Sequence, residues 1–313
     1  MSSREPVRIA VVGAGRMGRT HLAALADSKA LAATDVVEPV QAVRDELAGQ
    51  GFRTHATVEE LIAGRNVEAA LIAAPTDLHA ELVSELAAAG LPVLCEKPCG
   101  LRPDETAEAI RAAAEAGVLL QVGYWRRFVP ELLALREELL GGAFGALSVI
   151  SCWQWDARPP APSFRARSGG ILLDMGVHEF DQIRWLTGQE IEEVDALAAA
   201  ATSEAPVPGD PESVVAMGRL SDGAVATVSL GRRFPHGDCC WVELMGTEGS
   251  SRNLFVWGNE GTRVFHDALV AQAEAFAAAV RGGPRRGASG EDALRAIEAA
   301  DGAAQSLAAE VRG

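Results

Sequence analysis

A short apolar, β-branched run, Val7 to Val12, leads straight into Gly13-Ala14-Gly15-Arg16-Met17-Gly18 and then into the helix-forming stretch THLAALA. Few patterns restrict a chain more: a buried strand has to stop, turn sharply and restart as a helix. In a G-x-G-x-x-G the first glycine permits the tight turn, the second lets the backbone approach a pyrophosphate, and the third lets the helix pack close on the sheet. The helix N-terminus adds N–H donors and a partial positive charge suited to phosphate. Gly13, Gly15, Arg16, Met17 and Gly18 are therefore expected to hold a dinucleotide. A glycine loop that serves packing alone is the competing reading. The strand before, the helix after and the alternation beyond favour the dinucleotide.

That alternation continues. Strands are expected at about 32–37, near Thr54, at 69–75, within PVLCEKP and at 118–124, with helices over 40–49, 58–63, 78–89 and 102–116. Near-continuous apolar strands alternating with helices mark a parallel sheet covered on both faces. The rhythm changes after residue 124. A helix over 130–140, a strand over 146–156, a Pro-, Gly- and Arg-rich loop over 159–170 and a regular helix from Ile171 to Leu186 are followed by strands at 191–201, 213–220, 224–232 and 240–246. Asp222-Gly223 is a hairpin signal between two of them. Helices are expected at 267–281 and 290–311. The expected fold class is α/β, with an N-terminal doubly wound parallel sheet over residues 1–123. Residues 124–313 form an α+β domain with a largely antiparallel open sheet, its last helices free to pack back on the first domain.

With 313 residues the chain has room for two such domains. Its formal net charge of −15 argues against nucleic acid or anionic membrane surfaces as partners. No stretch approaches the roughly 20 continuous apolar residues of a membrane span, and the N-terminus does not read as a signal peptide. Five cysteines, an odd number, fit a reducing cytosol better than a disulfide framework, so a cytoplasmic protein is expected. Cys95 and Cys99 have the spacing of half a zinc site but lack a second ligand pair, so no metal is expected.

An acid is expected about 20 residues past the last glycine, where it accepts hydrogen bonds from the adenosine ribose and repels a 2′-phosphate. Glu38 sits at that distance and favours NAD over NADP; Asp35, three residues earlier, is the competitor. Further on, GGILLDMGVHEFD places Asp174, His178 and Asp181 at i, i+4 and i+7. On a regular helix they fall within about 60° of one another around the axis. An acid and imidazole stripe inside an apolar segment is costly to bury without purpose, and imidazole suits general-base work near neutral pH. A solvated face, or a histidine capping an internal carbonyl, is the alternative.

Taken together, GAGRMGRTH, AAPTDLH at 73–79, CEKP at 95–98 and the D-x-G-x-H-x-x-D at 174–181 resemble the family named for glucose–fructose oxidoreductase, inositol dehydrogenase and a rhizopine-catabolism protein. QVGYWRRFVPELLALRE at 121–137 resembles the inositol dehydrogenase branch. The resemblance implies that Ala74, Pro75, His79, Glu96 and Lys97 border the cofactor and that Lys97, Arg127, Asp174 and His178 meet the substrate. It also implies the chemistry: a secondary hydroxyl of a cyclitol or sugar loses its proton to His178 and its carbon-bound hydrogen to the nicotinamide, while Lys97 polarises the oxygen and Asp174 orients. Of the 28 lysines and arginines only Lys29 and Lys97 are lysine. A guanidinium neither donates to a compact hydroxyl as well as an ammonium nor shifts its pKa as readily, which gives a reason for lysine at position 97.

Homodimers or homotetramers joined through the antiparallel sheet are implied too. The loop carrying Trp153, Trp155, Arg158, Arg165 and Arg167 departs from the inositol enzymes. It fits a sugar acid or a phosphorylated or nucleotide-linked sugar, or equally packing and surface charge. Phe234 and His236 are further pocket candidates. Two other classes stay open: a dinucleotide-binding regulator without turnover, and an enzyme that uses tightly held NAD as a transient oxidant.

Overall fold

The computed structural model describes residues 5–199, 210–256 and 259–310. In chain order the first elements are β1 (Val7–Val12), α1 (Arg16–Asp27), β2 (Leu31–Val37), α2 (Gln41–Gly49), β3 (Arg53–His55), α3 (Val58–Gly64), β4 (Ala69–Ile72), α4 (His79–Ala88), β5 (Val93–Cys95), α5 (Pro103–Glu115) and β6 (Leu120–Val122). Then come α6 (Pro130–Leu140), β7 (Leu147–Trp155), the short α7 (Pro162–Arg165), a π-helical turn (Leu172–Gly176), α8 (Val177–Thr187), β8 (Ile191–Ala198), β9 (Ser213–Leu220), β10 (Val225–Gly231), β11 (Cys239–Gly246) and β12 (Ser250–Val256). The chain ends with α9 (Asn259–Val280), β13 (Ala288–Ser289) and α10 (Gly290–Glu310). Positions 200–201 of the expected strand and 311 of the expected helix lie outside the described residues. The described residues divide into two compact units, one drawn from 5–100, 104–128 and 266–293, the other from 101–103, 129–265 and 294–310.

The first unit is built on a seven-stranded sheet of order β13-β6-β5-β4-β1-β2-β3. All its pairings are parallel except that of the two-residue β13, which closes the β6 edge antiparallel. Ile9, Val11, Leu71 and Leu94 pack with Leu25, Phe276 and Ala277, while Val36 joins Ala14 and Leu47 in a separate cluster. Helices thus cover the near-continuous apolar strands, as their composition requires. The strand order reverses between β1 and β4, and ligands of open α/β sheets bind outside the carboxyl ends at such a switch point. The segments leaving β1, β4 and β5 there are the glycine loop, residues 73–75 and Glu96 to Pro98.

The second unit carries a six-stranded sheet, order β12-β11-β7-β10-β9-β8. It is mostly antiparallel, but β7 and β10 run parallel in register from Val149↔Val225 to Trp155↔Gly231. That pairing joins strands far apart in sequence, so no hairpin announces it. The helix expected from Ile171 is not regular at its start: the wide turn Leu172–Gly176 precedes α8. Gly176 packs against Leu230 of β10 and Phe180, and Gln182 Nε2 donates to Cys152 Sγ of β7 at 3.3 Å. The turn and α8 therefore lie on the face of the sheet that carries Cys152 and Leu230.

Candidate active site

The glycine loop has the steric character its spacing predicts. Gly13 has φ +92°, and a Cβ there would sit 2.8 Å from Ala73 O and from Ala74 backbone atoms. A Cβ on Gly18 would lie 1.9 Å from Gly13 O, whereas one on Gly15 would meet nothing within 4 Å. The loop is thus closed where it packs and open where a pyrophosphate would approach. Helix α1 starts with no side-chain cap and no acidic residue in its first turn, so its N–H groups and partial positive charge are left to an anion. Arg16 is exposed and Met17 half-buried beside this opening.

Glu38, just past β2, turns back to the loop. Its Oε2 accepts from Ala14 N at 3.0 Å and its Oε1 from Val40 N at 3.0 Å. Asp35 is placed quite differently. It is fully buried within β2 and accepts from both Nε and Nη2 of Arg53, from His55 and from Thr34. Burial pushes the Asp35 carboxyl up, but the bonds from Arg53, His55 and Thr34 outweigh it and hold the group below the ordinary carboxylate range. The residues fit a dinucleotide: glycine cradle, uncapped helix and one carboxylate at the loop.

Two buried histidines fasten the neighbouring segments. His79, opening α4, has Nδ1 2.7 Å from Pro98 O and Nε2 2.9 Å from Ala74 O. It ties the segment after β4 to the one after β5. His21, on α1, lies 2.6 Å from Glu96 Oε1, and Glu96 Oε2 accepts from Lys97 N at 3.1 Å. Burial would raise the Glu96 carboxyl; the hydrogen bond and charge of His21, with Lys97 and His79, reverse this and lower it. Gly123 leaves room for that carboxylate, since a Cβ there would lie 3.1 Å from Glu96 Oε1. Ala74 is half-buried, Pro75 exposed and Lys97 half-buried. Sequence reasoning had not singled out His21; its place one turn beyond Gly18, facing inward, was the available signal.

In the second unit, Asp174 stands on the π-helical turn and His178 and Asp181 on the first turns of α8. The even i, i+4, i+7 stripe of a regular helix is corrected by this wide turn, which carries Asp174 on a different spacing from the residues after it. His178 and Asp181 are buried and Asp174 is half-buried. Asp174 Oδ2 accepts from Nη1 of Arg232 at 3.1 Å. Arg232 is 0% exposed, the largest fully buried side chain of the described residues. Its Nη2 donates to Asp210 Oδ1 at 3.3 Å, and Arg165 donates to the same Asp210 through Nε and Nη2, at 2.5 Å to Oδ2 and 2.7 Å to the backbone oxygen. Arg233 in turn grips Glu212 with Nε and Nη2 at 2.9 and 3.2 Å.

Arg127, in the first unit, pairs with Asp292 through both terminal nitrogens, at 3.3 and 3.2 Å. Trp153 stacks on Trp241 with centroids 4.9 Å apart. Trp155 donates from Nε1 to Ser229 Oγ at 3.2 Å and meets Phe234 edge-on, while Phe234 meets His236 in the same way. Both tryptophans belong to sheet packing, and Arg165 belongs to the buried ion network. Arg158 and Arg167 are exposed. Arg232 had also gone unremarked in the sequence. Period-two alternation through β10 and one residue beyond it (Val228, Leu230, Arg232) was the signal that could have placed it on the helix-covered face.

Known proteins carry the same two halves. The oxidoreductase family model described as an NAD-binding Rossmann fold matches residues 7–124, and the model of the GFO/IDH/MocA C-terminal domain matches residues 132–252. The rhizopine catabolism protein MocA of Rhizobium meliloti is 47% identical over 304 residues, covering 97% of this chain and 96% of that protein. Inositol 2-dehydrogenase of Rhizobium meliloti (strain 1021) is 31% identical, with 96% and 97% covered. The crystal structure of scyllo-inositol dehydrogenase from Lactobacillus casei with bound cofactor NAD(H) and scyllo-inositol matches with a TM-score of 0.86 and 26% identity, over 97% of this chain and 98% of that one. With both halves matched and a relative this similar over nearly its full length, the chain belongs to the Gfo/Idh/MocA family of oxidoreductases, and its first unit is that family's NAD-binding Rossmann domain.

Proposed function

We propose that the protein is an NAD-dependent dehydrogenase that oxidises a secondary hydroxyl of an inositol-type polyol or a related sugar. The supporting observation is Glu38 at the glycine loop, and Lys97, Asp174 and His178 take their roles from the family motifs that carry them. Glu38 lies at the glycine loop, bonded to Ala14 N, where its charge accepts ribose hydroxyls and opposes a 2′-phosphate. Asp35, the competing acid, is already engaged by Arg53, His55 and Thr34. Bound nicotinamide supplies the two-electron acceptor. The chain supplies the proton handling: Lys97, its backbone N–H held by Glu96, polarises the reacting oxygen, and His178 takes the hydroxyl proton. Asp174 accepts a hydrogen bond from the substrate.

A neutral polyol suits the second unit better than an anionic sugar. Arg165, Arg232 and Arg233 are met by Asp210, Asp174 and Glu212, so their charges are compensated internally. Arg127 is paired with Asp292, and its contact with substrate requires that pair to open or share. The relatives named as inositol dehydrogenases, and the one holding scyllo-inositol, point to the same substrate class. The test is nicotinamide absorbance with purified protein, NAD⁺ or NADP⁺, and a panel of inositols, aldoses and sugar acids. A rise with NAD⁺ and a neutral polyol is expected. Binding of NAD(H) with no rise on any member would favour a regulator or a transient-oxidant enzyme instead.

A further inference from the structure

Arg232 is an anomaly of the second unit. A guanidinium with no exposure is costly, and an apolar side chain of similar volume is often the cheaper solution. Its Nε finds no hydrogen-bond partner among the described residues, so the burial is not even fully compensated. The cost goes with a particular placement. Arg232 follows β10, its backbone N–H donating to Glu212 O at 2.8 Å. The alternation of the strand points its side chain, like those of Val228 and Leu230, to the face that the π-helical turn covers. One end of the guanidinium reaches Asp174 on that turn and the other reaches Asp210, which Arg165 anchors from α7.

We propose that Arg232 is a positioning residue for Asp174, holding its Oδ2 so that the carboxylate meets the substrate as an acceptor in one fixed orientation, with Asp210 and Arg165 fixing Arg232 in turn. This rests on the catalytic-site reading of Asp174 given above. The π-helical turn makes such a hold necessary. A wide turn is less constrained by its own backbone than an α-helical one, and Gly169 and Gly170 before it both have positive φ. A side chain there needs an external partner to keep one rotamer, and the end of a strand in the middle of the sheet is a rigid place to mount it.

The test is a double-mutant cycle of Arg232→Lys and Asp174→Asn, read as kcat, KM for polyol and KM for NAD⁺, with thermal unfolding and a crystal structure of Arg232→Lys. The lysine keeps the charge but not the two-ended fork. Expected is a folded protein with unchanged KM for NAD⁺ and a kcat reduced about a hundredfold, as for displacement of a reacting group by about 1 Å. Added to Asp174→Asn, the same change should cost less than about threefold, because the partner it positions is gone. Losses that multiply, or a kcat that survives in Arg232→Lys, overturn the inference. Should Arg232→Lys not fold, Asp210→Asn loosens the far end of the fork, with a tenfold loss of kcat expected only when Asp174 is present; equal losses in both backgrounds overturn it. If no polyol is turned over by the unaltered protein, the dehydrogenase reading fails separately. The crystal structure then decides: an Asp174 carboxylate displaced in the variant supports positioning, and one left in place refutes it.

Discussion

Lys97 owes its setting to Glu96. The Glu96 carboxylate is buried, bonded on one side to His21 and on the other to the Lys97 backbone N–H, so the segment after β5 is fixed from beneath. Lys97→Arg should therefore fold, bind NAD⁺ as before and lose about a hundredfold in kcat, since charge is kept while donor geometry is not; steady-state kinetics with a fluorescence titration of NADH would reveal a mere surface charge by a kcat within about threefold of the original. Asp35 offers a test of stability. Its carboxyl is held below the ordinary value by Arg53, His55 and Thr34 against the effect of burial. A lowered carboxyl contributes stability that is full above the unfolded value, about 3.9, and is lost as pH falls through the folded one. Arg53→Met should thus be less stable than the unaltered protein at pH 7. The gap should close progressively below about pH 4, as followed by urea unfolding at stepped pH. A gap constant with pH would mean that Arg53 acts through packing rather than charge.

At the scale of elements, the parts that read well from the residues were those whose signal is local. Val7 to Val12, Ala69 to Ile72 and the glycine loop announce themselves by apolar runs and glycine spacing, and α2 and α6 lie within a residue or so of the expected bounds. What could not be read depends on distant partners. β7 pairs parallel with β10 only because both are brought together across the second unit, and the two-residue β13 is a strand only because β6 offers its edge. β12 was missed altogether. The wide turn at Leu172–Gly176 looks like ordinary helix in sequence, and Arg232 looks like surface, since arginine is rarely buried unless paired. The candidate site residues were thus legible by type, while the groups bonded to them were not. The glycine loop gives an element-scale prediction. A Cβ on Gly18 would overlap Gly13 O, so Gly18→Ala should force α1 off the sheet, costing about 1–3 kcal/mol of stability and weakening NADH binding. Calorimetry of both would expose an unchanged affinity, and with it a loop that does not cradle the cofactor.

At the scale of the whole molecule, the second unit has a face that no described element covers. Leu197 lies opposite Val215, Met217 follows two residues on, and Met245 lies opposite Val149; Leu197, Val215, Met217 and Met245 are large apolar side chains open to water. They share one side of the sheet, opposite to the side that carries Leu230 and α8. A second copy of the same sheet would cover such a face. Met217→Glu should lower the mass seen by sedimentation while leaving NADH binding intact, and an unchanged mass would remove this face from the assembly. The uncovered side has a practical corollary. If copies cover one another there, the heat stability of the protein is not a constant of the chain but a function of how much of it is present: each tenfold dilution removes about 1.4 kcal/mol of association free energy per contact, and the unfolding temperature should slide downward with concentration until the sheet stands alone.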